Sequence, residues 1–313
     1  MTTDAIAREY ASFAAVQAAP VSPRYADLTS AIAADAEVLA FLAELPAPKR
    51  QPNLLLGALQ YLHGLAADPA ELHSWVTGDP ERLRATMLAR STQTNEAARC
   101  AAFLPLLPDG PLTLIEVGAS AGLCLYPDRY AYDYDGRRVG GPSTVELRCT
   151  TTGPVPRTLP TVAARIGIDL NPLDPADTDD RAWLRALVWP GPQADERLHR
   201  LDAACEIAAR EPATMLRGDL LDLLPDAVAS APAGSTVVVL HTAVLMYLDA
   251  AAREAFVELV GSLPVRWIAQ EGRGIVPGQP AVPGRDGRFV LVLDGRPVAL
   301  TAPHGGRVDW LDT

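Results

Sequence analysis

The sequence predicts an α/β protein whose C-terminal two-thirds forms a mostly parallel, Rossmann-like sheet. Two observations predict this fold. After Pro111, short apolar runs rich in strand-forming residues alternate with helical stretches, which implies a parallel sheet with crossover connections. Only Gly295, Arg296 and Pro297 join the last two runs, so these two strands must form an antiparallel hairpin.

Seven apolar runs are predicted strands. They are Leu112–Val117 and the runs that end at Leu170, Asp219, His241, Gln270, Asp294 and Ala302. Predicted helices separate the middle strands, at Asp180–Arg210, Leu220–Ala229 and Ala250–Ser262. A parallel sheet closed by one antiparallel hairpin is the layout of the seven-stranded methyltransferase sheet.

The first 110 residues are predicted to be helical. Apolar residues recur at helical spacing from Leu28 to Leu42. Asn53–Ala66 is apolar on most sides and predicts a buried helix with Asn53 as its N-cap, and a further helix is predicted from Pro80 to Leu104. We therefore expect a helical cap region over residues 1–110, covering a cleft in an α/β domain over residues 111–313.

An insertion is predicted at about residues 126–160, between the first and second strands. Tyr130, Tyr132 and Tyr134 alternate with polar residues, and Asp135 and Gly136 follow as a turn pair. The pattern indicates an inserted hairpin. Since long insertions of this kind often carry function, we expect it to lie over a ligand site.

Composition excludes several classes of protein. The net charge of −11 and the pI of about 4.9 disfavour nucleic acid as a partner. The four cysteines form no CxxC pair, so neither a disulfide framework nor a structural metal site is expected. No apolar leader and no bilayer-length apolar run is visible, which predicts a cytoplasmic protein without a membrane partner. The oligomeric state is left open.

The stretch Ile115–Leu123 carries the most informative motif. It places Glu116, Gly118, Ser120 and Gly122 where the first strand should turn into a helix. Glycines there let the backbone approach a ligand closely, and a helix N-terminus favours anionic or polar groups. We call Gly118–Gly122 the glycine loop. Its pattern is that of a nucleotide loop with serine in place of the middle glycine.

The glycine loop also matches a nucleophile elbow, Gly-x-Ser-x-Gly. In an α/β-hydrolase, Ser120 would be the nucleophile and His304 a candidate base. Two features disfavour this alternative. The residues before the serine are predicted to be helical, whereas a hydrolase has several strands there, and His304, Gly305 and Gly306 follow the serine instead of preceding it.

Two later carboxylates strengthen the nucleotide interpretation. Asp169 ends the second predicted strand, where an acid can accept hydrogen bonds from ribose hydroxyls. It lies 47 residues after Gly122 rather than the usual ~20, and the inserted hairpin accounts for the difference. Asp219 ends the third predicted strand, where related folds contact adenine. The alternative for each acid is a helix cap.

Three residues near later strand ends are candidates for contact with an acceptor. His241 ends the fourth predicted strand and could orient an acceptor or act as its base, or it could be a structural histidine. Tyr247 could line the same pocket or lie in the core. Glu271 ends the fifth predicted strand and is a second candidate for contact with the acceptor, or a loop acid. The polar cluster Gln93–Glu96, on the helix predicted from Pro80, could reach over the cleft or cap a helix.

Taken together, the motifs resemble an uncharacterised bacterial family defined by a domain of unknown function, DUF2332. The motifs are TQTNEAARC (Thr92–Cys100), EVGASAGL with DRYAYDYDG (Asp128–Gly136), RIGIDLNPLD (Arg165–Asp174), LRGD (Leu216–Asp219), VVVLHTAVLMYL (Val237–Leu248) and WIAQEG (Trp267–Gly272). The resemblance covers nearly the whole chain. It implies a divergent branch of the S-adenosylmethionine-dependent methyltransferase superfamily, with that fold and cofactor.

Three functions are therefore considered. The first is a methyltransferase that uses S-adenosylmethionine to modify a small-molecule acceptor. The second is a non-catalytic module that binds the cofactor or a partner, which the serine at position 120 keeps open. The third is the serine hydrolase that uses Ser120.

Overall fold

The computed structural model describes residues 2–284 and 286–311. The chain divides into two units. One comprises the described residues of Met1–Thr94 and Asp177–His199, and the other those of Asn95–Ala176 and Arg200–Thr313. The helical unit thus includes a segment from the middle of the chain, and the α/β unit begins before residue 111.

Helices of the described residues are numbered in chain order. They are α1 Thr3–Phe13, α2 Pro23–Ala34, α3 Ala36–Glu44, α4 Pro52–His63, α5 Pro69–Gly78, α6 Pro80–Ala89, α7 Cys100–Phe103, α8 Thr178–Ala186, α9 Ala194–Arg210, α10 Leu220–Ala229 and α11 Ala250–Ser262. A π-helical turn, Ala14–Ala18, follows α1. Short 3₁₀ segments are Ala47–Lys49, Ala97–Arg99, Leu104–Leu106, Leu123–Leu125 and Leu245–Tyr247.

Side-chain caps and prolines explain where the helices of the helical unit begin. Asp68 and Asp79 each accept a backbone hydrogen bond at the start of α5 and α6, and each is followed by a proline, whose fixed φ suits the first turn. At the start of α4 only the proline is present. Pro52 is its first residue and Gln51 precedes it without a side-chain cap, so the prediction of Asn53 as N-cap is wrong.

Two predicted helices are interrupted. The helix predicted over Pro80–Leu104 ends at Ala89, and residues 90–96 have no regular secondary structure. Side chains bind the backbone carbonyls there. Lys49 Nζ donates to the carbonyl oxygen of Arg90, and Trp183 Nε1 donates to the carbonyl oxygen of Ser91. The helix predicted over Asp180–Arg210 is two helices, α8 and α9, because Pro190, Gly191 and Pro192 lie between them.

Eleven strands of the described residues form one mixed sheet, rather than the seven predicted. They are β1 Pro111–Val117, β2 Ala131–Tyr134, β3 Arg137–Val139, β4 Glu146–Thr151, β5 Thr161–Asp169, β6 Thr214–Arg217, β7 Thr236–Thr242, β8 Arg266–Gly272, β9 Phe289–Leu293, β10 Arg296–Thr301 and β11 Arg307–Trp310. Their order is β6-β5-β1-β7-β8-β9-β10-β11-β4-β2-β3.

The seven predicted strands form the contiguous part of the sheet from β6 to β10. β6, β5, β1, β7 and β8 are parallel, and β9 and β10 form the predicted antiparallel hairpin. Counted without β2–β4, the strand order is 3-2-1-4-5-6-7. Its parallel part, 3-2-1-4-5, agrees with the order of a dinucleotide-binding sheet, whereas β9 is antiparallel to β8. The order reverses at β1, because β5 lies on one side of it and β7 on the other.

The inserted segment extends the sheet instead of lying over it. β2 and β3 form the predicted hairpin, with positive φ at both Asp135 and Gly136. β4 then pairs in parallel with β2, and β11 joins β4 to β10. The insertion's strands belong to the edge of the sheet farthest from β6, and the expectation that the insertion lies over a ligand site stays a prediction.

Tyrosine hydroxyls fasten the insertion to the backbone. Tyr130, Tyr132 and Tyr134 are buried, and their hydroxyls donate to the carbonyls of Leu123, Pro127 and Ala101 at 2.6–2.7 Å. Each ring thus buries a large apolar area while its polar end is satisfied. The alternating tyrosines that predicted a strand are also the residues that hold it in place.

An apolar cluster covers one face of the central sheet. One face packs apolar residues of β1, β5, β7 and β8 against α10 and α11, around Phe256 and Trp267. Glu116 and Thr242 are buried polar residues that point away from this cluster. No helix among the described residues is long and apolar enough to span a membrane.

A histidine–aspartate pair in the helical unit makes the first prediction. His73 Nδ1 lies 2.6 Å from Oδ2 of Asp35, whose Oδ1 caps α3. The hydrogen bond to Asp35 and its charge raise the pKa of His73 above its usual 6.5. Such a raised pKa stabilises the fold below the unfolded-state pKa of histidine, and this stabilisation is lost as pH rises through the folded-state pKa. We expect an NMR titration of His73 to give a pKa above 6.5.

Asp35→Asn is the matched variant, because an asparagine oxygen can still cap α3. It should bring the pKa of His73 back toward 6.5. An equal midpoint in the variant and the parent chain would contradict the assignment.

Candidate functional site

The glycine loop is a tight turn fastened to β5. Gly118, Ser120 and Gly122 all have positive φ, at 67°, 53° and 69°. The amides of Gly118 and Ala119 both donate to the carbonyl of Ile168, at 2.8 and 3.1 Å. The backbone of the loop is therefore held against the carboxyl end of β5.

No α-helix follows the glycine loop, contrary to the prediction. Only the 3₁₀ turn Leu123–Leu125 is present. The Leu123 amide donates to Asn95 Oδ1 at 2.8 Å, and Tyr130 takes the Leu123 carbonyl. These contacts direct the chain into the insertion. Since no α-helix starts directly after the loop among the described residues, the dipole of such a helix is not available there.

Asp169 faces the glycine loop from the neighbouring strand. Its Oδ2 accepts from the Ser120 amide at 2.8 Å, and its Oδ1 accepts from the Asn171 amide at 2.8 Å. The predicted adjacency of the two strands is confirmed, since Val117 of β1 pairs with Ile168 of β5. The half-buried carboxylate orders the loop, and a carboxylate can accept about four hydrogen bonds.

Leu170, directly after Asp169, is 70% exposed. A leucine this exposed at the carboxyl end of a central strand offers an apolar face beside the carboxylate.

Glu116 is a buried carboxyl group on β1, two residues before Gly118. It is 1% exposed, and its Oε2 has no hydrogen-bond partner among the described residues. Burial and the neighbouring Cys124 raise the pKa of Glu116 well above its usual range, and Arg99 opposes this rise.

Asp219 serves as a helix cap. β6 ends at Arg217, so Asp219 is not the last residue of the strand, and its Oδ1 accepts from the Leu221 amide at 2.8 Å at the start of α10. This is the alternative role that the sequence left open. Its contact with a cofactor remains a prediction.

His241 and Glu271 are brought together, and both are fully buried. Trp267 Nε1 donates to His241 Nε2 at 3.0 Å, so this nitrogen is an acceptor and carries no proton. The proton is therefore on Nδ1, which donates to Glu271 Oε1 at 2.8 Å. Neither ring nitrogen remains for an acceptor, and the arrangement supports the structural interpretation of His241.

Glu271 fixes the backbone after β7. Its Oε1 also accepts from the amides of Val244 and Leu245, at 2.7 and 3.0 Å. Its Oε2 has no partner among the described residues. Trp267, His241 and Glu271 thus form a chain of hydrogen bonds that ends on two loop amides, and we call this chain the relay.

Tyr247 lies in the 3₁₀ turn after β7 and is 53% exposed, so the alternative that it belongs to the core is wrong. The polar cluster Gln93–Glu96 lies outside any helix. One of its members, Glu96, caps the following 3₁₀ turn and pairs with Arg200 Nε at 2.7 Å.

Arg99 is a buried site residue that the sequence motifs did not single out. Its Nη1 donates to both the carbonyl and the hydroxyl of Thr242 at 3.1 Å, and its Nε donates to the carbonyl of Pro303 at 2.9 Å. It links the end of β7 to the loop after β10. The signal in the sequence was an arginine inside the apolar run Ala97–Phe103.

The hydrolase alternative finds little support in this geometry. A nucleophile elbow needs a helix after the turn and an exposed serine hydroxyl. No α-helix follows the glycine loop, and Ser120 is 3% exposed. Gly305, directly after His304, has a packing role, because a Cβ there would lie 2.2 Å from the carbonyl oxygen of Ala98.

One group of acids has the spacing for a metal ion. Asp177, Asp179 and Asp180, at the start of α8, bring one oxygen each within 4.8 Å of the others. Arg90 pairs with Asp179 and Asp180, and Asp177 caps the helix. These contacts account for the cluster without a metal.

The fold and the glycine loop define a mixed α/β protein with a crossover point at β1 and polar residues at the carboxyl ends of its central strands. The chain belongs to the DUF2332 family, described as an uncharacterized protein conserved in bacteria, whose family model matches residues 7–310. No curated protein and no solved structure matches the chain.

Gly305 and Gly306 provide a matched pair of variants. Both have positive φ, but an added Cβ meets the Ala98 carbonyl at 2.2 Å only at Gly305, and at Gly306 the nearest atom lies 3.9 Å away. Gly305→Ala should reduce the free energy of unfolding by about 1–3 kcal/mol more than Gly306→Ala, measured by denaturant titration. Equal losses of unfolding free energy in the two variants would show that the contact of Gly305 with the Ala98 carbonyl does not require glycine.

The relay makes a prediction about the tautomer of His241. Long-range ¹H–¹⁵N NMR should show a neutral ring with the proton on Nδ1. Trp267→Phe removes the indole donor to Nε2, so the Nε2 resonance should shift while the Nδ1 proton stays. An Nε2-protonated ring in the parent chain would contradict the relay.

Proposed function

We propose that this chain binds S-adenosylmethionine at the glycine loop and transfers its methyl group to a small molecule. The observation that carries the proposal is the Asp169 carboxylate, bonded to the Ser120 amide where the strand order reverses at β1. In open α/β sheets, ligands bind in the crevice at such a point. Family membership adds no substrate.

The residues present fit the chemistry of this cofactor. The half-buried carboxylate of Asp169 can accept from the two ribose hydroxyls, and the exposed Leu170 supplies an apolar face for the base. The unpartnered Glu116 Oε2 can accept from the ammonium group. Asp219 stays a second candidate for contact with adenine.

The direction of approach follows from Gly118. A Cβ there would lie 2.4 Å from Val244 Cγ2, so protein fills that side of the loop. The ligand must reach the loop from the side of Asp169.

The cofactor supplies an electrophilic methyl group, and the protein contributes positioning and electrostatics. His241 does not serve as a base, since both of its nitrogens are bonded. The acceptor should therefore be a nucleophile that needs no strong base, such as a neutral amine or thioether, or a group that loses its proton to solvent. The net charge of −11 favours a small molecule over nucleic acid.

Calorimetry with S-adenosylmethionine and with S-adenosylhomocysteine tests the binding step. Asp169→Ala should weaken binding by roughly ten- to a hundredfold, because a charge-assisted hydrogen bond contributes about 1.5–3 kcal/mol. It should also destabilise the unliganded chain, since two backbone amides lose their acceptor. Asp169→Asn removes the charge but keeps an acceptor oxygen for one of the two amides, so it should destabilise the unliganded chain less than Asp169→Ala while it still weakens binding.

Asp133→Ala is the control. Asp133 also accepts from a backbone amide, that of Gly136, in the hairpin at the far edge of the sheet. It should leave binding unchanged. If neither ligand binds the parent chain at millimolar concentration, the cofactor assignment is wrong. If both bind but no acceptor is ever methylated, the non-catalytic alternative holds.

A further inference from the structure

Several hydrogen bonds hold the backbone of the loop between β7 and α11, residues 243–249. The Ala243 amide donates to the carbonyl of Gln270 at 2.9 Å, and Glu271 Oε1 holds the amides of Val244 and Leu245. Ala243 has a φ of 58°, a conformation that a non-glycine residue keeps only where its surroundings impose it.

Arg253 of α11 fastens the carbonyl side of the same loop. Its Nε donates to the carbonyls of Leu245 and Leu248 at 2.8 and 3.0 Å, and its Nη2 donates to that of Met246 at 3.3 Å. Charged groups therefore hold the loop from both sides: a carboxylate on its amides and a guanidinium on its carbonyls.

This fixed backbone exposes two large side chains. Met246 is 47% exposed and Tyr247 is 53% exposed. An aromatic ring on a rigid backbone loses little conformational entropy when it binds a ligand, and methionine adapts to the shape of its partner. Two such side chains on a fixed turn can serve as a contact surface for a ligand.

The loop is also next to the glycine loop. Val244 Cγ2 occupies the space beside Gly118, so the turn that carries Met246 and Tyr247 begins where the two loops touch. A group bound on this turn would lie across Val244 from the glycine loop.

We infer that Tyr247, with Met246 beside it, is a binding platform for the planar aromatic ring of a small molecule. Resting on the proposed function, this makes an aromatic compound the methyl acceptor. The size of the patch favours one ring over a protein, because a stable protein interface needs about 800 Å² from each partner, far more than two side chains supply. Ring stacking on tyrosine and contact with a thioether are the attractions such a ligand would use.

Saturation-transfer NMR and titration with indole test the platform, with cyclohexanol as a non-aromatic probe of similar polarity. Indole should bind and cyclohexanol should not. Tyr247→Ala should weaken indole binding by about tenfold, and Tyr247→Phe, which keeps the ring, should retain it. Leu65→Ala, which removes another side chain that is 47% exposed, should have no effect. Indole binding that survives Tyr247→Ala, or no indole binding at all, would overturn the inference.

Two further variants test whether the fastened backbone matters. Arg253→Ala removes three contacts to loop carbonyls without touching the ring, and it should weaken indole binding several-fold while the melting temperature of the chain shifts little. Glu271→Gln removes the charge but keeps an acceptor oxygen for the two amides, so it should weaken indole binding less than Arg253→Ala does. If Arg253→Ala binds indole as well as the parent chain, preorganisation of the loop is excluded.

The indole experiments need no cofactor, so they can fail or succeed independently of the proposed function. If indole binding depends on Tyr247 but S-adenosylhomocysteine never binds, the platform is supported and the methyltransferase proposal is rejected. If both bind, S-adenosylhomocysteine should leave indole affinity unchanged or strengthen it. Mutual exclusion would show that indole occupies the cofactor site and would contradict a separate platform.

Discussion

The hydrogen bond from the Ser120 amide to the Asp169 carboxylate is the contact on which the site depends. The glycine loop has three residues at positive φ and no α-helix behind it, so its bonds to β5 and to Asp169 hold its shape. The same carboxylate also holds the Asn171 amide. One charged group thus sets the relative positions of the loop after β1 and the loop after β5, at the point where a ligand would meet both.

A second carboxylate has a comparable role after β7. Glu271 holds two loop amides, His241 orients it, and Trp267 fixes the tautomer of His241. A buried carboxylate is costly unless hydrogen bonds compensate for its lost hydration, and here three donors converge on Oε1. The two carboxylates together make the carboxyl ends of β5, β1, β7 and β8 a preorganised surface.

Local patterns predicted the central sheet well, because its strands are short apolar runs with helices or a tight turn between them. They failed where contacts between residues far apart in the sequence determine the local structure. β11 has a single buried residue, Val308, and forms because β10 and β4 pair with it from either side. The α-helix expected after Gly122 is absent, and contacts from Asn95 and Tyr130 hold the Leu123 amide and carbonyl in its place.

The candidate site shows the same division. The acids were found as strand-end residues, but the sequence could not tell a ligand-facing carboxylate from a helix cap, which Asp219 is. It also could not tell that His241 has both nitrogens bonded, because that depends on which residue of β8 lies beside it.

The most direct test of the central claim is a crystal structure of the chain soaked with S-adenosylhomocysteine. We predict density over the glycine loop, with ribose hydroxyls within hydrogen-bond distance of Asp169 and the base against Leu170. Density elsewhere, or a ribose that does not contact Asp169, would contradict the assignment.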